Sequence, residues 1–214
     1  YQTAYMKANF PVEYMSAVLT ADSGDTDKIS EIIRECERMD IVVLPPDINE
    51  SFADFTVVPG RETIRFGLTT IKNFGAGVAE AIINERKRGG HFTSLADFLS
   101  RVNDRNLNKK SLEALILTGA LDSFGERGEM YANIELLLTF NKERVAEKES
   151  SQVSLFGLGG GGTHTLNLQP FPPAPTLQML IWEKELLGVY VSGHPLDVYT
   201  EELKKRSSIH DIRE

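Results

Sequence analysis

The stretch Phe74-Gly-Ala-Gly77 places two glycines in a bend between two short apolar patterns. Leu68 and Ile71 lie three apart before it, while Val78, Ala81 and Ile82 share one face of a helix after it. Glycines accept positive φ and leave backbone N–H groups uncovered. Such amides at the start of a helix, together with its dipole, favour an anion. A phosphate of a nucleic-acid backbone fits that description, held without any base being read. Lys72 and Arg86 add charge, so the candidate set here is Lys72, Asn73, Phe74, Gly75, Ala76, Gly77 and Arg86. A glycine pair that serves only to reverse the chain would give the same pattern.

A second pattern of the same kind follows. Ser94-Leu-Ala-Asp-Phe-Leu99 leads through Asn103-Asp-Arg-Asn-Leu-Asn-Lys-Lys110 into Ser111-Leu-Glu-Ala-Leu-Ile-Leu117. It lacks the two glycines, but Lys109 and Lys110 fall near the start of its second helix, where cations reach a phosphate. Paired hairpins complete one core and can grip both strands of a duplex, so double-stranded DNA is the expected partner. Hairpins that pack only against neighbouring protein are the alternative.

Other chemistries find little support. Asp25 and Asp27 sit in a loop with helix-cap character, and His91, His164, His194 and His210 lack metal-ligand spacing, so no metal site is expected. There is no phosphate loop of the Walker type and no nucleophile elbow. Cys36, the only cysteine, belongs to a helical apolar stripe with Ile29, Ile32 and Ile33, which excludes an internal disulfide and points to a reducing, cytoplasmic setting. No catalytic residue or resident cofactor is expected.

The elements that must position these residues are mostly helical. Two short helices are expected before Thr20, the second starting at Pro11, and a third through Met39. Ile41 to Leu44, stopped by Pro45 and Pro46, reads as a strand, and Phe55 to Val58 with Thr63 to Phe66 as a hairpin around Pro59-Gly60. Helices dominate from Thr69 to Thr139. The fold class is therefore mainly α with a small β element. Ser150 to Pro175, with four consecutive glycines from Gly159 and four prolines, reads as a linker that forms no packed element. Order is expected to return near Leu177, with another helix from Leu196 to Lys205.

At the mouth of that linker, Ser151-Gln-Val-Ser-Leu-Phe-Gly157 carries two large apolar residues with no evident core to enter. Leu155 and Phe156 suit an anchor peptide that orders in a partner's pocket, with Gln152 at its edge. Folding back onto the preceding helix is equally open.

The chain has 214 residues with 41% hydrophobic and 25% charged, and reads as folded and water-soluble. No stretch nears the roughly 20 apolar residues of a membrane helix. It begins with Tyr1, so a piece of a larger protein is expected. The net charge is −8, against nucleic-acid binding by the whole surface. Residues 61–110, however, hold ten basic side chains against five acidic ones, a local +5 set in a −13 remainder. One module made to meet a polyanion is the reading this favours.

Several stretches extend the picture: Tyr1-Gln-Thr-Ala-Tyr-Met-Lys-Ala-Asn-Phe-Pro-Val-Glu-Tyr-Met15, Leu44-Pro-Pro-Asp-Ile-Asn49, Ile64-Arg-Phe-Gly-Leu68, Ile71-Lys-Asn-Phe-Gly75, Glu183-Lys-Glu-Leu-Leu-Gly188 and Ser192-Gly-His-Pro-Leu196. In order and spacing the chain resembles the C-family replicative DNA polymerases, the alpha subunits of bacterial DNA polymerase III, beyond their palm. The resemblance implies that residues 1–66 end the fingers domain and that 67–122 form a tandem helix-hairpin-helix module. It further implies a helix over 123–149, a linker over 150–176, and a segment over 177–214 leading towards an oligonucleotide-binding-fold domain. Gln152, Val153, Ser154, Leu155 and Phe156 would then dock on the sliding clamp, and other replicase subunits are further partners. Polymerase chemistry uses acidic residues and Mg²⁺. In this family they lie in the palm, upstream of Tyr1, so the chain alone is expected to be inactive.

Overall fold

The computed structural model describes residues 1–102, 107–149 and 166–199. Helix α1 (Gln2–Asn9) and α2 (Pro11–Ala21) meet at Phe10, with Pro11 in the first turn where its missing N–H costs nothing. Asp25 caps α3 (Thr26–Arg38) by accepting from the amides of Asp27 and Lys28 at 3.1 and 3.2 Å. The α3 stripe buries Ile29, Ile33 and Cys36. Burial pushes the Cys36 thiol up to about 11.

Three short strands follow, β1 (Val42–Leu44), β2 (Thr56–Val57) and β3 (Thr63–Arg65). The expected hairpin is present: β2 and β3 pair antiparallel, and Gly60 in the turn takes φ +72°. β1 adds itself parallel to β3, giving the order β1-β3-β2. The Ser16 hydroxyl donates to the Phe55 carbonyl at 3.1 Å and fastens α2 to this sheet. Phe55 and Phe66, both buried, pack with ring centroids 4.7 Å apart and planes tilted by 53°.

Among the described residues the further α-helices are α4 (Ala76–Gly89), α5 (Leu95–Arg101), α6 (Lys109–Leu117), α7 (Arg127–Ala132), α8 (Ile134–Glu149) and α9 (Thr176–Leu187). Ser94 caps α5, and Asn108 with Ser111 forms a reciprocal capping box on α6. Phe98, Leu99, Leu112, Leu115 and Ile116 are fully buried, and one apolar cluster runs from Val12 to Val189. The mainly helical class with a small sheet is thus the observed one.

Residues 166–175, within the expected linker, form neither helix nor strand and are mostly exposed, but several are tied to the rest of the chain. Leu166 and Leu168 lean on the core, and Asn133 holds Gln169 by two hydrogen bonds of 2.9 Å. The Ala174 amide donates to Glu126 at 2.8 Å. Prolines and an isolated Gly-rich neighbourhood mark a stretch without regular structure, but side-chain partners elsewhere in the chain can still satisfy its backbone.

Helix α9 is fixed by a buried polar cluster. Arg127 and Glu183, 5% and 0% exposed, pair at 2.9 Å. Arg127 also holds Asp122 at 2.8 Å, while Glu183 accepts from the amides of Val191 and Ser192, each at 2.9 Å, and from the Ser192 hydroxyl. Burial alone would raise the Glu183 carboxyl, but the Ser192, Arg127 and Val191 donors outweigh it and hold it below the usual carboxylate range. Gly119, at φ +80°, leaves room for this cluster, since a Cβ there would stand 2.2 Å from an Arg127 nitrogen. The chain turns after α9 at Gly188, which takes φ +82° as the left-handed cap.

Candidate nucleic-acid interface

The first hairpin is built from a 3-10 turn at Leu68–Thr70 and the start of α4. Leu68, Ile71, Phe74 and Val78 are buried and anchor it to the core. The turn closes by a hydrogen bond from the Phe74 amide to the Ile71 carbonyl at 3.1 Å. The left-handed residue is Asn73, at φ +66°. This corrects the expectation that the glycines adopt positive φ: Gly75 has φ −81° and serves as the N-cap of α4, while Gly77 lies inside the helix. Asparagine tolerates this region better than most side chains, so the turn needs no glycine.

The glycines have another effect. Gly75, Ala76 and Gly77 are exposed, and apart from its own chain neighbours no heavy atom lies within 4 Å of where a Gly75 Cβ would stand. No side chain caps α4, and Ala79 is the first amide of the ladder, bonding to the Gly75 carbonyl at 3.2 Å. The amides of Ala76, Gly77 and Val78 therefore precede the ladder at an uncovered helix end, the geometry that an anion recognises. Lys72 is exposed beside them, and its own amide donates to the Leu186 carbonyl of α9 at 3.0 Å.

Two members of the candidate set are corrected. Phe74 is 6% exposed, so its side chain belongs to the core. Arg86 is 9% exposed and donates to the carbonyls of Ile48 and Ser51 at 2.9 and 2.8 Å, which removes it from the hairpin surface. Burial lowers its pKa, partly offset by Asp47 and Glu50. The signal was available in the helical period: Arg86 continues the buried stripe of Val78, Ala79, Ile82 and Ile83. Arg101 is likewise internal, bonded to Glu85 and Asp97 at 3.1 Å each and lying over the Phe92 ring. Part of the local positive charge is thus architectural.

In the second hairpin, Lys109 pairs with Glu135 at 2.6 Å on the surface, which raises the lysine and lowers the glutamate. Lys110 is exposed and lines a groove of about 320 Å³ together with Asn73. The two hairpins therefore meet on one face. Tyr131 and Trp182, with ring centroids 5.8 Å apart, line the same groove, as do Glu113 and Glu185. The periodicity of the hairpins alone held no sign of these α7 and α9 contributions. Gln152, Val153, Ser154, Leu155 and Phe156 lie outside the described residues. Among the described residues no group of three or more His, Cys, Asp or Glu is placed to hold a metal ion, and no helix is long and apolar enough to cross a membrane.

A family model described as a helix-hairpin-helix motif matches residues 40–130, taking in the sheet as well as both hairpins. The chain is 46% identical over 196 residues to the DNA polymerase III subunit alpha of Thermus aquaticus, covering 92% of this chain and 16% of that one. It is 41% identical to that of Deinococcus radiodurans, over 97% of this chain and 16% of the relative, and 41% identical to that of Borreliella burgdorferi, over 98% and 18%. The chain spans about a sixth of the length of these curated relatives. With the helix-hairpin-helix match inside it and this identity along nearly all of it, the chain matches a fragment of the DNA polymerase III alpha subunits.

Proposed function

We propose that this chain serves a bacterial replicative DNA polymerase as a noncatalytic part that holds duplex DNA by its backbone and docks on the sliding clamp. The observation that carries the DNA reading is the open start of α4, where uncapped amides follow the exposed Lys72 and the neighbouring Asn73 lines one groove with Lys110. The helix-hairpin-helix match supports the same assignment. Main-chain amides and lysines recognise phosphate but read no base, so binding is sequence-independent and falls with salt. Lys109 contributes as well: an exposed ion pair is worth little, and a phosphate can compete with Glu135 for it. The clamp reading rests on Gln152, Val153, Ser154, Leu155 and Phe156, whose order resembles the family's docking peptide. Tethering through such a peptide keeps a weak DNA contact at high local concentration. Other replicase subunits are further partners, the setting is the cytoplasm, and the Mg²⁺ chemistry belongs to the palm of the polymerase.

A scaffold reading has one observation in its favour, the hydrogen bond between the Lys72 amide and Leu186, which packs the hairpin against α9. Anisotropy titrations of labelled duplex DNA from about 50 to 500 mM salt separate the two, with each phosphate contact adding about −0.9 to the log–log slope. The expected result is a steep slope that becomes shallower in Lys72→Glu and Lys110→Glu. Unchanged affinity in both variants leaves the scaffold reading standing. For the peptide, Leu155→Ala with Phe156→Ala abolishes binding to purified clamp and spares DNA binding, each apolar side chain being worth roughly 1.5–3 kcal/mol. Clamp binding equal to that of the parent overturns the docking assignment.

A further inference from the structure

A second cationic groove lies at the opposite end of α4 from the hairpin. It encloses about 400 Å³ between the β2–β3 hairpin, the loop around Phe52 and the end of α4. Arg61, Arg65, Arg86 and His91 line it, against a single carboxylate, Glu50, which pairs with Arg65. Arg86 is bonded to two neutral carbonyls and, among the described residues, makes no ion pair within 4.0 Å, although Asp47 and Glu50 act on it from further off. Arg61 is exposed. Phe52 stands in the groove at 47% exposure, although it is a large apolar side chain, and the Arg86 guanidinium covers one side of its ring at 5.2 Å.

An exposed aromatic ring backed by a guanidinium and flanked by further cations matches what an unpaired nucleic-acid strand requires. A base stacks on the free ring face, Arg86 polarises the ring from behind, and Arg61 meets the adjoining phosphate. A duplex offers no free base face, so this chemistry selects single strands. We infer that this groove binds single-stranded nucleic acid through Phe52 and Arg61. It stands apart from the duplex-holding face: Arg86 is ten residues beyond Ala76, and the 1.5 Å rise of a helix puts the two ends roughly 15 Å apart. The two sites together would suit DNA that is paired at one end and unpaired at the other.

The test uses the whole chain and fluorescein-labelled oligo-dT at low salt, read by anisotropy. Phe52→Ala and Arg61→Glu, both at exposed positions, each weaken oligo-dT binding about tenfold or more, the loss of roughly one stacked base or one phosphate contact. Duplex binding in the same variants stays near that of the parent, and circular dichroism checks that each is folded. Parent-like oligo-dT affinity in both variants overturns the inference, as does a parent that binds duplex but not oligo-dT. A parent that binds oligo-dT but not duplex instead overturns the duplex reading alone. Thymidine monophosphate competing as strongly as the oligonucleotide overturns the strand assignment in favour of a free nucleotide.

Discussion

Replacing Glu183 with Gln probes the buried cluster that fixes α9. The carboxylate accepts four hydrogen bonds, from Arg127, the Val191 and Ser192 amides and the Ser192 hydroxyl. An amide in its place accepts on one side only and turns an NH₂ group towards donors on the other. Removing one member of a buried ion pair costs about 3–5 kcal/mol. Arg127 keeps Asp122, at 2.8 Å, so the lower end applies, about 3 kcal/mol. For a chain of this size that corresponds to a fall in Tm of about 6–12 °C. Trp182, the only tryptophan, is the residue before Glu183 and reports unfolding by fluorescence in urea, with circular dichroism as the second probe. The paired change Arg127→Met with Glu183→Leu removes the unpaired guanidinium but leaves the Val191 and Ser192 amides without their acceptor, so it recovers only the ion-pair part of the loss. A loss under about 1 kcal/mol in Glu183→Gln would refute the reasoning. The pH dependence has a defined sign. Because the folded state holds Glu183 below its ordinary value, its contribution is present above the unfolded carboxylate pKa, about 4.3, and is lost as pH falls through the lower folded value. In Glu183→Gln that part of the acid sensitivity disappears.

Asn73→Val forces a β-branched side chain into φ +66° and destabilises by about 1–2 kcal/mol in urea titrations, whereas Asn73→Gly is tolerated. Arg86→Met leaves the Ile48 and Ser51 carbonyls without their donor and lowers stability by about 2–4 kcal/mol, while Lys72→Glu changes stability by less than about 0.5 kcal/mol; paired chemical denaturation curves check both. Cys36, buried and with its thiol pushed up to about 11, reacts with a thiol reagent at pH 8 no faster than the chain unfolds, as measured by absorbance with and without urea. Glu135→Ala removes only an exposed pair, so stability moves by less than about 0.5 kcal/mol and duplex affinity holds or rises as Lys109 is released.

Local patterns in the sequence carried the first three helices, the β2–β3 hairpin and the helical character of residues 69–139, because each rests on short-range periodicity, caps and turn residues. The exposed glycines at the start of α4 were legible for the same reason. What the sequence concealed depends on distant partners. The parallel pairing of β1 with β3 joins strands some twenty residues apart, and nothing in Val42 to Leu44 specifies which edge it takes. Arg86 and Arg101 look like surface cations in a charge count, yet their partners are carbonyls and carboxylates contributed by other elements. Residues 166–175 read as a linker by composition, and nothing in that composition points to Asn133 and Glu126, the caps of α7, as their partners. The resemblance motifs Glu183 to Gly188 and Ser192 to Leu196 read in the sequence as helix and turn without a partner; the cluster with Arg127 now supplies one.

Helix α4 is clamped at both extremities, by Ile71 and Phe74 packing at its start and by the two carbonyl bonds to Arg86 near its finish. A helix so pinned acts as a ruler rather than a hinge: the spacing between its two charged ends is set by a count of residues. Inserting a single residue into its middle would rotate one end by about 100° about the axis while adding only about 1.5 Å, so alignment of the two faces would be lost long before reach.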